Sequence, residues 1–134
     1  MSSGEIRVAI NSEQDIVSAR QQGRALALEL GFSAVDSTFI ATAISELARN
    51  IVSYARTGEI TLKTIQNSTK KGISIVAADE GPGIHDVRQA LRDGFSTSGS
   101  LGLGLPGVRR LMDEFEIASQ PGQGTRVEVK KWRQ

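Results

Sequence analysis

One helical segment of this chain carries both an apolar stripe and two polar side chains one turn apart. The apolar stripe has the i, i+4, i+7 and i+11 spacing of a single helix face and comprises Ile40, Ile44, Leu47 and Ile51. Ser33 is placed to cap the first turn, and the pattern predicts a helix running to about Ala55. Glu46, Asn50 and Ser53 share a second face, roughly a third of a turn from the stripe. The segment is therefore expected to be core on one side and to point polar groups into a cavity on the other.

Hydrophobic periodicity predicts the remaining elements. Strands are expected at about 5–11, 59–66, 72–78, 116–119 and 125–131, and further helices at 13–30, 86–91 and a segment containing Val108, Leu111, Met112 and Phe115. Residues 93–101 have no period and are expected to form a loop. Helices interleaved with mainly antiparallel strands favour an α+β fold, a two-layer sandwich with helices on one sheet face.

Composition narrows the class of protein. The 134 residues suit one domain, and 39% hydrophobic with 23% charged residues is an ordinary globular balance. The net charge of +1 gives no support to a nucleic-acid interface, which usually needs a strongly basic face. The chain has no cysteine and no apolar N-terminal signal segment, and the apolar run 73–78 is too short to span a bilayer. We expect a single cytoplasmic domain, residues 1–134, that binds neither nucleic acid nor membrane.

The pair Glu46 and Asn50 suits phosphoryl transfer. Magnesium prefers oxygen ligands and keeps several waters, so the Asn50 amide oxygen together with phosphate oxygens makes a workable shell. Glu46, one turn away, could then accept a proton from the group that attacks a γ-phosphate. The alternative is a solvated helix face on which Glu46 pairs with Arg49.

Asp79 follows the apolar run 73–78, where a buried strand emerges. Its carboxylate could accept the exocyclic amine of adenine, and Gly81 and Gly83 would let the backbone approach the base. The alternative is an ordinary tight turn, because Asp, Gly and Pro are common turn residues.

A glycine-rich segment follows the predicted loop. Gly102–Gly107 matches the G-x-G-x-x-G pattern, but no strand leads into it, which argues against a dinucleotide-binding fold. We interpret Gly102, Leu103, Gly104 and Leu105 as a phosphate lid that leads into a helix N-terminus, where free amides favour anions.

Residues 122–125 form the weakest of the four clusters, because a hairpin turn explains most of it. Thr125 could add a hydroxyl beside the adenine. His85 is more typical of a turn than of a phosphoacceptor, and Arg49, Arg109 and Arg110 are left outside the predicted catalytic set.

Taken together, these segments resemble the four ATP-site boxes of the GHKL ATPase/kinase superfamily. Residues 46–50 resemble the N box, 79–83 the G1 box, 102–105 the G2 box and 122–125 the G3 box. The small size and residues 46–55 are most similar to the anti-sigma-factor kinase branch. The resemblance implies the Bergerat ATP-binding fold, with Glu46 as general base, Asn50 as magnesium ligand and Asp79 as adenine reader.

The same resemblance implies an ATP- and Mg²⁺-dependent serine/threonine protein kinase. Its expected substrate is a STAS-domain antagonist in a bacterial partner-switching, stress-response pathway. The alternative is a nucleotide-dependent binding switch with little catalysis, whose partner would be a sigma factor or a phosphatase.

Overall fold

A computed structural model describes residues 5–81 and 104–134. The elements in chain order are β1 (Ile6–Ile10), α1 (Glu13–Glu29), α2 (Ala34–Asn50), a π-helical segment (Ile51–Ala55), β2 (Gly58–Gln66), β3 (Lys71–Asp79), α3 (Gly104–Leu111), β4 (Glu114–Ser119) and β5 (Thr125–Trp132). The predicted helix 86–91 and loop 93–101 lie outside the described residues.

The five strands form one sheet in the order β1-β2-β3-β5-β4, and every neighbouring pair is antiparallel. Residues in register across the sheet share a face, so each row can be followed from edge to edge. Two rows on the inner face are apolar throughout: Ile6, Leu62, Ile75, Val129 and Phe115, and then Val8, Ile60, Ala77, Val127 and Ile117. Both rows pack in one core with α1, α2 and α3, which confirms the predicted α+β sandwich.

Helix α2 is the centre of the helical layer, because it packs against both α1 and α3. The Ser33 hydroxyl accepts a hydrogen bond from the Asp36 amide at 3.0 Å, as the capping pattern predicted. All four residues of the predicted apolar stripe are buried. A Cβ at Gly23 of α1 would overlap the Ile44 side chain, so the glycine allows the two helices to approach closely.

Two sequence-based predictions need correction. Regular α-helix ends at Asn50, and the segment Ile51–Ala55 is π-helical. The spacing of 100° per residue therefore does not extend to Ser53, which is exposed.

Phe115, expected on the last helix, lies instead in β4 opposite Val129, because α3 ends at Leu111. A short apolar run does not distinguish a buried helix from a strand.

None of the helices in residues 5–81 and 104–134 is long and apolar enough to cross a bilayer.

Candidate active site

The inner face of the sheet ends in a third row that differs from the two apolar rows. This terminal row comprises Ile10, Gly58, Asp79, Thr125 and Ser119, in register across all five strands. Asp79 at the end of β3 lies opposite Thr125 at the start of β5, and both are half-buried. The terminal row therefore places a carboxylate and two hydroxyl groups directly beside the two apolar rows.

The Asp79 carboxylate closes a short turn. Its Oδ1 accepts a hydrogen bond from the Gly81 amide at 2.9 Å. Asp79 therefore does close a tight turn, which is the alternative that the sequence left open. An ionised carboxylate has two oxygens and about four acceptor positions, and one amide uses only part of that capacity. A turn and a ligand contact are therefore compatible at this residue.

The end of the long helical segment lies against this turn. A Cβ built on Gly81 would be 2.5 Å from the Ala55 Cβ and 2.8 Å from the Ala55 Cα. A Cβ on Gly58 would be 2.7 Å from the Ile51 Cγ2 and 3.1 Å from the Asp79 Cβ. Both glycines thus allow the residues directly after Asn50 to pack on the Asp79 turn.

The β4–β5 turn also packs on the Asp79 turn, through Gly124. Gln123 N donates to Gln120 O at 2.9 Å, and Gly122 between them has φ +79°, the geometry of a type II turn with Pro121 at its first central position. Gly124 has φ +88°, and a Cβ there would overlap the Asp79 carbonyl oxygen. The predicted G1 and G3 boxes therefore meet in one place, beside the segment Ile51–Ala55 that follows the N box.

Glu46 is buried, with 6% of its surface exposed, and Asn50 one turn later is half-buried. Arg49 lies 3.5 Å from the Glu13 carboxylate of α1. The solvated-face alternative is therefore wrong for Glu46, because its side chain is buried beside the core and not exposed to water.

Of the predicted phosphate lid, the structure describes only Gly104 and Leu105. Gly104 begins α3 with φ +52°, and Leu105 is 6% exposed and packs in the core. Gly83, Gly102, Leu103 and His85 lie outside the described residues. Arg109 and Arg110 are exposed in the last turn of α3.

Sequence reasoning missed Ser119, which belongs to the terminal row. Its Oγ lies 2.8 Å from the Thr125 Oγ1 and donates to the Gly124 carbonyl oxygen at 3.1 Å. The predicted hairpin contained the signal, because residues that flank a short antiparallel turn must face each other.

Comparison with known proteins agrees with this geometry. Residues 35–134 match the family of histidine kinase-, DNA gyrase B- and HSP90-like ATPases. The chain is 57% identical over 125 residues to the serine/threonine-protein kinase RsbT of Bacillus subtilis (strain 168), covering 93% of this chain and 94% of the relative. It is 32% identical over 129 residues to the anti-sigma F factor of Thermoanaerobacter sp. (strain X514), covering 92% of this chain and 89% of the relative.

A solved structure, the mycobacterial sensor histidine kinase MprB, superposes with a TM-score of 0.55 over 99% of both chains at 14% identity, which shows a shared fold. The match to RsbT over nearly the whole of both chains identifies the protein as an enzyme, a serine/threonine-protein kinase. The chain belongs to the GHKL ATPase/kinase superfamily, in the branch that contains anti-sigma factors and serine/threonine-protein kinases.

Proposed function

We propose that the protein transfers the γ-phosphate of ATP to a serine or threonine of a STAS-domain regulatory protein in a bacterial partner-switching stress response. The observation that carries this proposal is the packing of Gly81 on Ala55. That contact holds the Asp79 turn against the end of the segment that carries Glu46 and Asn50. We therefore place the base at the terminal row and the triphosphate along the helix.

Adenine recognition is assigned to the terminal row. The Asp79 carboxylate accepts an N–H of the exocyclic amine, and the Thr125 hydroxyl lies opposite it across the β3–β5 pair. The missing side chain of Gly81 is what lets this turn pack on Ala55, and we propose that the backbone of Gly81 and Gly83 approaches the base.

Magnesium is assigned to Asn50. Its half-buried amide supplies the oxygen donor that this ion prefers. In residues 5–81 and 104–134 there is no group of three or more His, Cys, Asp or Glu side chains placed to hold a metal, so phosphate oxygens and water would complete the shell. The ion would neutralise charge on the phosphates.

Phosphate contacts are assigned to Gly102, Leu103, Gly104 and Leu105. The described part of this segment starts α3, where unpaired amides and the positive end of the helix dipole favour anions. Since the Leu105 side chain is in the core, its contribution would come from the backbone amide. Ser53 remains a proposed nucleotide contact at the exposed rim of the site.

Glu46 is the proposed general base. The acceptor hydroxyl oxygen forms a bond to the γ-phosphorus, the bond from that phosphorus to the bridging oxygen of ADP breaks, and the hydroxyl proton passes to the Glu46 carboxylate. Glu46 and its neighbours Leu47 and Ala48 on α2 are buried, which would restrict the movement of this carboxylate. Positioning and charge neutralisation supply most of the rate enhancement.

A second candidate function is a binding switch, in which the nucleotide sets the conformation that grips a sigma factor or activates a phosphatase. It is favoured by the relatives named anti-sigma F factor. For either function we propose that residues 1–134 act as one cytoplasmic domain.

Transfer of label from γ-labelled ATP separates the two functions. We expect label on a serine or threonine of a STAS-domain protein when it is incubated with the kinase, ATP and Mg²⁺. A STAS-domain protein whose acceptor residue is replaced by alanine is the matched control. Tight partner binding that depends on ATP but leaves no label on the partner would contradict the kinase proposal and support the switch.

A further inference from the structure

The outer edge of β4 has no partner strand in residues 5–81 and 104–134, because β4 is the last strand of the sheet. Arg133 N donates to Lys71 O at 2.8 Å, so odd-numbered residues of β5 bond to β3 and even-numbered ones bond to β4. Glu116 lies opposite an even-numbered residue and therefore bonds to β5. By alternation, the amides and carbonyls of Phe115 and Ile117 point away from β5, to the open edge.

Both apolar rows of the inner face end at this edge. Phe115 ends one row opposite Val129, and Ile117 ends the other opposite Val127. The two valines are buried, whereas Phe115 and Ile117 are only half-buried where they pack on the core. One more strand, with apolar residues opposite Phe115 and Ile117, would continue both rows.

The outward residue between them, Glu116, lies directly opposite a second carboxylate, Glu128. Glu128 has a cation of its own, since Arg126 Nη1 lies 3.4 Å from it. Glu114, two residues before Glu116, lies opposite a cation, Lys130. In the described part of the chain Glu116 has neither an ion pair nor a side-chain hydrogen bond. Like charges directly opposite each other destabilise a sheet, so Glu116 costs stability that a cation from outside would restore.

We propose that the open edge of β4 binds an extended segment of a partner protein in which a lysine or arginine stands between two apolar residues. The segment adds an antiparallel strand to the sheet, and its backbone bonds to Phe115 and Ile117. The residue opposite Glu116 is then in a non-hydrogen-bonded pair, in which facing side chains are closest. Its positive charge pairs with Glu116, and its apolar neighbours cover Phe115 and Ile117.

A second copy of this chain fits the edge less well. Its β4 supplies no cation, because the outward residues of that strand are Glu114, Glu116 and Ala118. Its β1 has the apolar–basic–apolar order, but Arg7 is already paired with Glu5 at 2.9 Å. Joining β1 of one molecule to β4 of the next also leaves an open edge at each end, so such an assembly would not close.

The test uses two blocked octapeptides, one of alternating valine and lysine and one of alternating valine and glutamate, at low ionic strength. We expect the lysine peptide to bind the wild type about two- to fivefold more tightly, the change set by one exposed ion pair. It should slow hydrogen exchange of the Phe115 and Ile117 amides. Glu116→Lys, which faces Glu128 and should fold, is expected to reverse the preference between the peptides.

Glu59→Lys is the matched control, because it makes the same charge change at an exposed, outward position of β2 and should leave the preference for lysine in place. Equal preferences in Glu116→Lys and Glu59→Lys would show that only net charge is sensed and would overturn the site. Unprotected Phe115 and Ile117 amides with the lysine peptide would also overturn it. Protection of these amides by self-association of the wild type, without peptide, would assign the edge to a second copy and overturn the partner segment.

Discussion

Two hairpin turns at opposite ends of the sheet are made of similar residues and behave differently. In the β2–β3 turn, Asn67 Oδ1 accepts from the Thr69 and Lys70 amides at 2.9 and 2.8 Å, and the turn is exposed. In the β4–β5 turn, Gly124 is buried and packs on the backbone of Asp79 and Glu80. The β2–β3 turn is therefore stabilised by one of its own side chains, Asn67. The β4–β5 turn is instead stabilised by packing on Asp79 and Glu80, which are distant in sequence.

This difference separates a purely structural end of the sheet from the end at which we propose the active site. The β2–β3 end also has a polar depression of about 380 Å³, lined by residues 66–71, 133 and 134. The close glycine contacts at that end, Gly72 with Lys131 and Gly31 with Arg133, involve none of the predicted boxes. At the terminal row, by contrast, the predicted G1 and G3 boxes contact each other and the segment Ile51–Ala55 through close backbone approaches, so a change in one should affect the others.

The largest effect is expected from Glu46→Gln. Removing the carboxylate that receives the proton should slow phosphoryl transfer by about 10²–10⁴-fold, while ATP affinity stays near that of the wild type. Steady-state transfer rates and ATP titration measure the two quantities. Glu59→Gln, at an exposed position of β2, is the matched control and should change neither. Equal transfer rates for wild type and Glu46→Gln would remove Glu46 from its role.

A comparison of Gly124→Ala with Gly122→Ala isolates the packing of the β4–β5 turn. Both glycines have positive φ, so both changes should cost about 1–2 kcal/mol of backbone strain. Of the two, Gly124 faces another segment, whereas no heavy atom of residues 5–81 and 104–134 lies within 4 Å of a Cβ on Gly122. We expect a further loss of about 1–3 kcal/mol in unfolding free energy, together with weaker ATP binding, for Gly124→Ala alone.

If urea unfolding and ATP titration show equal losses for the two variants, the turn does not support the site.

Gly81→Ala tests the contact between the Asp79 turn and the helical segment. The new methyl group would crowd Ala55, and we expect a loss of about 1–3 kcal/mol in stability and a lower ATP affinity. Ala55→Gly in the same chain should recover part of that loss, because it removes one of the two crowded atoms. Strict additivity of the two changes in a double-mutant cycle would show that the residues do not touch.

The smallest effect is expected at the other end of the sheet. Asn67→Ala removes the acceptor of two amide hydrogen bonds in the β2–β3 turn and should lower the unfolding free energy by about 1 kcal/mol. Phosphoryl transfer and ATP affinity should be unchanged. A large loss of activity in this variant would mean that the two ends of the sheet are coupled.

Much of this architecture could be predicted from the sequence, because local signals agreed with the global fold. The Ser33 cap, the buried stripe of α2 and both hairpins follow from propensity and period alone. The π-helical segment could not be predicted in this way, because apolar spacing does not record a change in residues per turn. For this reason the sequence analysis placed Ser53 on the same helix face as Glu46, on the assumption of a regular α-helix.

Residues of the proposed site were predicted from the sequence where they belong to motifs, and were missed where strand register brings them to it. Asp79 and Thr125 stand in recognisable clusters, whereas Gly58 joins the terminal row only because strands distant in sequence align it there. Register between strands distant in sequence depends on the whole sheet, and a single sequence does not state it.

A crystal structure with Mg²⁺ and a non-hydrolysable ATP analogue tests the central claim most directly. We predict the adenine amine within hydrogen-bond distance of Asp79 and Thr125, the metal on Asn50, and the γ-phosphate on the side of Glu46. A nucleotide bound at the β2–β3 end of the sheet, or one whose base lies away from the terminal row, would contradict the account.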